Sequence, residues 1–348
     1  RTLIGAILGI MIITLFSIVW SVGSWASTPE SDFQFEPTNG TITKYVGDDL
    51  NVVIPSEIGD VPVTTIGEGA FRGRTRMTNI TIPDSVTTIG DRAFSGCNSL
   101  TNITIPDGVT SIGYRAFFAC WDLTSITLPD SVTTIGNEAF YDCTSLTSIT
   151  LPDSLTTIGN YAFYNCESLT SITLPDSLTT IDYYAFSYCT SLTSITLPDS
   201  VTTIGYSVFQ GCSSLTNIIL PDSVTSMGNS AFDGCTSLTS ITLSDSLTTI
   251  GKYAFKDCSS LTRITLPDSL TTIGNRVFYY CTSLTSITLP DSLTTIGDSA
   301  FYGCTNLETI INLSASTQTI DSSSFDNTCV GGIAYAYPSN TEFIDRIT

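Results

Sequence analysis

From Phe94 to Cys304, apolar residues recur in a fixed order every 23 positions, and one unit, Leu146 to Ser168, reads LTSITLPDSLTTIGNYAFYNCES. Leu146, Ile149 and Leu151 are apolar, and the last two alternate with Ser148 and Thr150. That alternation predicts a short strand with one face buried. Pro152, which lacks a ladder N–H, and Asp153, which can bond nearby backbone amides, end the strand. Leu155 and Ile158 turn back inward, and Gly159 permits a bend. Ala162, Phe163 and Cys166 then follow at i, i+1 and i+4, which predicts a short helical or 3-10 segment packed on the core. About eight side chains per unit face inward, too few to close a core alone, so the units must stack and pair their strands into a parallel sheet.

The expected fold class is an α/β solenoid, right-handed and curved. Residues 41–76 form its N-terminal cap, with the familiar IGEGAF but Arg74 where a cysteine belongs, residues 77–308 the repeats, and residues 309–348 a C-terminal cap. Residues 28–40, with Pro29 and Pro37, read as a linker. Ahead of it, residues 1–27 hold an uncharged run from Leu3 to Val22 that predicts one long hydrophobic α-helix of about 30 Å, enough to cross a hydrocarbon layer. Leu3, Ile4, Leu8, Ile12, Ile13, Phe16 and Trp20 would form its packing surface, and Gly5 and Gly9 have the spacing that lets helices approach closely. This segment has three readings: a filament core, a membrane anchor, or a secretory signal cleaved near Ser24-Trp25-Ala26.

Charge narrows the function. The chain carries 12 basic and 32 acidic residues, a net charge of -20, and no Lys or Arg lies between Ala116 and Gly251. Such a surface repels phosphate backbones, so nucleic acid is excluded as a partner. There is no histidine, which removes the commonest general base and metal ligand. A non-enzymatic protein with no cofactor is expected.

Ten cysteines spaced 23 apart, Cys97 to Cys304, read as a buried column of free thiols, since parallel inward side chains give poor disulfide geometry. The Pro-Asp corners stack carboxylates from Asp84 to Asp291; turn formation accounts for each, with calcium bridging as the alternative. Thr127, Thr150, Thr173 and Thr196 lie on a hydroxyl-covered strand face. Asn39, Asn79, Asn102 and Asn312 head glycosylation sequons. On the opposite side, Tyr161, Tyr164, Tyr183, Tyr184 and Tyr188 make a candidate interaction surface, with drift among duplicated units as the alternative.

The motif L-x-x-I-x-L-P-x-x-[LV]-x-x-I-G-x-x-[AV]-F-x-x-C, repeated from Leu100 onward, resembles the BspA-like leucine-rich repeats. The departures are Asp182 for Gly, Val208 and Val277 for Ala, Met227 for Ile and Ser244 for Pro. The resemblance implies a surface or secreted protein that adheres to matrix, cells or surfaces, and no catalytic set. The N-terminal run resembles type IV pilins, especially those of archaea, although Gly5 stands where bacterial pilins carry Glu. That resemblance implies an archaeal extracellular filament subunit, self-associating through the helix, contacting membrane during assembly and displaying the repeats to a protein or carbohydrate ligand. The alternative is a membrane-anchored or secreted monomeric adhesin.

Overall fold

The computed structural model describes residues 27–314 and 317–328 together with the strand Ala334–Tyr335. The repeats form a parallel β-solenoid of about twelve coils, marked by buried phenylalanines from Phe71 to Phe325. Each regular coil contributes two strands. The longer, such as Ser125–Thr127 and Ser148–Thr150, pairs in register with its counterpart 23 residues away. The shorter, such as Thr134–Ile135 and Thr157–Ile158, does the same on an adjoining side. Because the period is constant, equivalent positions meet across each paired step, as Ile126 opposite Ile149 and Ile135 opposite Ile158.

The unit read from the sequence packs as expected. Leu146, Ile149, Leu155, Ile158, Ala162, Phe163 and Cys166 are buried, and Leu151 is partly buried against them. The phenylalanines form one column that starts at Tyr45 and Phe71 and runs to Phe301 and Phe325, with centroids 5.3 Å apart at the first step and 5.2 Å at the last. Every cysteine from Cys97 to Cys304 is buried and unpaired. Each thiol donates to the carbonyl of the phenylalanine in the preceding coil, as Cys166 does to Phe140 at 3.3 Å. Burial pushes the thiols up, to about 12 for Cys97, Cys212 and Cys304.

The α/β class is corrected by this architecture. The AFxxC side contains no α-helix, and the only helical element among the described residues is the 3-10 turn Glu30–Asp32. Two residues per coil there, four apart, adopt left-handed backbone: Glu138 at φ 55° and Asp142 at 57°, Tyr161 at 56° and Asn165 at 59°. Their N–H groups point to the next coil, Glu138 to Asn160 and Asp142 to Tyr164, while Phe140 donates to Ala162. Residues between them close i to i−3 turns, as Tyr141 does on Glu138. Half the donors therefore serve the neighbouring coil, and no helical ladder can run. The i, i+1, i+4 pattern reported the inward face correctly but not which partner the amides choose.

Left-handed backbone costs a side-chain-bearing residue about 1–2 kcal/mol. Gly96, Gly211, Gly234 and Gly303 occupy the position that Ala119 fills at φ 54°. Ala119→Gly is expected to stabilise the chain by about 0.5–1 kcal/mol after the larger unfolded-state entropy of glycine is deducted. An unchanged or lowered urea midpoint would count against backbone strain at this corner.

Residues 28–40 are part of the cap rather than a linker. Phe33–Glu36 pairs antiparallel with Thr41–Tyr45, Phe33 is buried, and the Thr28 hydroxyl accepts from the Val53 amide. The two prolines flank the strand instead of preventing it. Arg74, in the cysteine position, donates to the Gly47 carbonyl at 3.2 Å and covers the Tyr45 ring. At the far end Thr309–Asn312 pairs with both Ser286–Leu289 and Ala334–Tyr335. The long N-terminal helix and its packing residues Leu3, Ile4, Gly5, Leu8, Gly9, Ile12, Ile13, Phe16 and Trp20 fall outside the described residues. Among the described residues no helix is long and apolar enough to cross a membrane.

Candidate interaction surface

Three sides of each coil are tied to their neighbours by side chains whose roles the repeat alone did not disclose. At the Pro-Asp corner the tie comes from the serine that follows: Ser154 donates to the Val132 carbonyl and Ser177 to the Leu155 carbonyl, at 2.7 and 2.6 Å. The aspartates themselves stand exposed, and among the described residues no three metal-ligating side chains gather. Ahead of each long strand a threonine hydroxyl bonds the preceding coil, as Thr147 does to Thr124. After the Ile-Gly bend an Asn or Asp oxygen accepts the next coil's amide in several coils: Asn137 from Asn160, Asn160 from Tyr183, Asn229 from Lys252.

An irregularity falls at the coils of Tyr183 and Tyr206, which stand where several coils place Asn or Asp. Tyr114 stands there too, and its short strand stays paired, so a tyrosine alone does not break the stack. Between the coils of Tyr183 and Tyr206 the short-strand sheet is interrupted: one stack ends at Thr180–Ile181 and the next begins at Thr203–Ile204. The phenylalanine column opens as well, from 5.4 Å between Phe163 and Phe186 to 5.9 Å between Phe186 and Phe209. Two of the motif departures, Asp182 for Gly and Val208 for Ala, lie in these coils. Both add atoms where other coils have few. An open groove of about 580 Å³ lies here, lined by Tyr183, Gly205, Tyr206, Met227 and Asn229 among others.

The predicted tyrosines come together beside it. Tyr141 and Tyr164 stack at 4.7 Å, Tyr161 and Tyr184 at 4.5 Å, and Tyr188 meets Tyr164 edge-on at 5.3 Å. Tyr184 also contacts Tyr206 at 5.3 Å. Phe118 extends the file through Tyr141. Tyr183 is 57% exposed and Tyr206 39%. Burial raises the pKa of Tyr141 and Tyr164, while a hydrogen bond with Tyr184 raises that of Tyr206. The surface is therefore a contiguous aromatic ridge. Its position was legible as tyrosines recurring on one side; Tyr141, Phe118 and the groove were not, because they depend on which coils are neighbours.

The remaining candidates are dispersed. Asn39 is exposed. Asn79 and Asn102 are exposed on the long-strand face but linked in a ladder, Asn79 donating to Asn51 at 2.7 Å and Asn102 to Asn79 at 3.4 Å. Asn312 is buried at 2% exposure, with its amide donating to Gln318, so the folded chain closes it to a glycan. The threonines Thr127, Thr150, Thr173 and Thr196 are exposed in a row, as the alternation predicted.

Comparison with known proteins agrees with this geometry. The BspA-type leucine-rich-repeat region matches in six copies over residues 64–190, 110–239 and 225–346. A leucine-rich cell surface protein from Faecalibacterium prausnitzii is 32% identical, covers 93% of this chain and 98% of its own, and superposes with a TM-score of 0.58. A leucine-rich repeat protein from Eubacterium ventriosum is 25% identical, with 86% and 90% coverage and a TM-score of 0.50. The pneumococcal vaccine antigen PcpA, 23% identical over 85% of this chain and 91% of its own, shares the fold with a TM-score of 0.57. No curated protein matches in sequence. None of these likenesses supports the pilin or archaeal reading of the N-terminal run, and the family match begins well after it. A 23-residue β-solenoid with this motif and these neighbours makes the chain a member of the BspA-type leucine-rich repeat family.

Proposed function

We propose that the chain is a non-enzymatic cell-surface adhesin, anchored or secreted, that binds an extracellular ligand through the side of the solenoid carrying the tyrosines. The observation that carries this reading is the aromatic ridge: stacked phenols held partly in the open on a rigid scaffold, the side-chain type enriched at protein interfaces. The likeness to a bacterial cell surface protein over nearly the whole chain supports the location. The absence of histidine from the sequence supports a binding rather than a catalytic role.

Antibody raised against the chain should label intact, unpermeabilised cells, and added purified chain should reduce attachment of those cells to host matrix or epithelium. A Tyr161→Ala/Tyr164→Ala variant is expected to lose most of that competition while keeping the circular dichroism of the parent. Labelling only after permeabilisation, or attachment indifferent to the purified chain, would sink the reading.

A further inference from the structure

Three arginines on the ridge side lay the guanidinium on rings beside a carboxylate. Arg92 lies 4.8 Å from the Tyr114 centroid and pairs with Glu68 at 3.0 Å. Arg115 lies 4.9 Å from Tyr114 and 5.0 Å from Phe118, and pairs with Glu138 at 2.7 Å. Arg276 lies 5.7 Å from Tyr253, donates to its hydroxyl at 2.7 Å, and meets Asp298 at 3.5 Å. These three arginines occupy the same place in their coils, a whole number of 23-residue periods apart. In the two coils that border the groove, that place is held by Tyr184 and Ser207.

The groove thus retains two components of the arrangement and lacks the third. Tyr183 and Tyr206 line it with their rings, and Tyr184 contacts Tyr206 at 5.3 Å. Asp182, half-buried and next to Tyr183 in the chain, stands beside the groove rather than in its lining, and burial pushes its pKa up. Asp233 adds negative potential at Tyr206, although Lys256 already pairs with it at 3.3 Å. Around them the stretch from Ala116 to Gly251 carries twelve carboxylates and no Lys or Arg. We propose that the groove at Tyr183 and Tyr206 receives an arginine side chain from a basic segment of a partner protein. The proposal rests on the adhesin reading and gives its ligand a chemistry. A guanidinium fits better than an ammonium because it is planar, weakly hydrated and stacks on aromatic faces while its edge bonds a carboxylate. The negative field of the central coils draws the basic segment in, and the break in the sheet gives its side chain room.

The test uses the full chain and three fluorescent peptides of equal length, alternating glycine with arginine, lysine or glutamine, read by anisotropy. The arginine peptide is expected to bind most tightly, the lysine peptide several-fold more weakly and the glutamine peptide not measurably. Tyr183→Ala/Tyr206→Ala should weaken the arginine peptide about tenfold, given roughly 0.5–1 kcal/mol for each exposed cation–π contact. Asp153→Asn/Asp176→Asn, which removes two charges at a distant corner, should change binding less than twofold. Equal affinity for arginine and lysine peptides, or equal weakening by both double variants, would reduce the interaction to diffuse charge attraction and overturn the proposal. Binding of a neutral oligosaccharide lost in the tyrosine variant, with no peptide binding, would overturn it in favour of a glycan. Failure of the parent chain to bind the arginine peptide, while it still competes for cell attachment, would refute this inference alone and leave the adhesin reading standing.

Discussion

Phe163→Ala is expected to cost about 3–5 kcal/mol of unfolding free energy, the range for emptying a buried phenylalanine site. Phe163 is fully buried in the ring column, with Phe140 at 5.3 Å on one side and Phe186 at 5.4 Å on the other, both nearly parallel to it. Collapse into the vacancy is hindered, because the neighbouring rings are held in register by backbone bonds such as Phe140 to Ala162 and Phe163 to Ala185. A solenoid's stability is a sum of unit and nearest-neighbour contributions. The vacancy therefore weakens two interfaces at once, and lies two coils or fewer from the sheet break at Thr180–Thr203. Urea unfolding of the variant should show a lower midpoint and a second transition as the two halves uncouple. A single transition shifted by less than about 1 kcal/mol would mean that the rings fill space without coupling the coils.

Period, strand positions and core were legible because each depends only on which residues recur: Ile149 and Leu155 face inward in every coil for the same reason. The class was misread at Ala162 and Phe163, where inward spacing is shared by a helix and by turns that donate to the next coil; choosing between them requires knowing the neighbour. The same limit applies to the site. Tyrosines could be seen recurring on one side, but the groove lies between coils, where Tyr183 of one comes next to Tyr206 and Met227 of those that follow. Asn312 shows the converse: its sequon is local, while its burial is set by the packing of the last coils.

The cysteine column should make the protein sharply sensitive to alkali. The ten described thiols are buried, and burial raises their pKa from an ordinary 9.0 to about 12 at Cys97, Cys212 and Cys304 and upward at the seven between. A folded thiol therefore keeps its proton where an unfolded one releases it. The folded state binds more protons above pH 9, so unfolding becomes easier as pH rises. The stability these groups contribute is fully present below about 9 and is lost from there toward 12. Each thiol adds a slope of about 1.4 kcal/mol per pH unit, and ten together approach about 14 kcal/mol per unit once the unfolded chain is ionised. Few domains exceed about 15 kcal/mol in total stability, so cooperative unfolding is expected roughly one to two units above pH 9. Below that pH a thiol reagent should find the described cysteines unreactive in the native chain and reactive in denaturant. The carboxylates, already ionised at neutral pH, and the tyrosines, ordinarily titrating near 10.0, add a smaller repulsive drift over the same range. A chain with Cys143, Cys166, Cys189 and Cys212 all changed to alanine separates the two: it should start less stable at pH 7 yet lose stability with pH about two-fifths less steeply. If its slope above pH 9 matched the parent's, the alkaline transition would belong to the surface charges and not to the thiols.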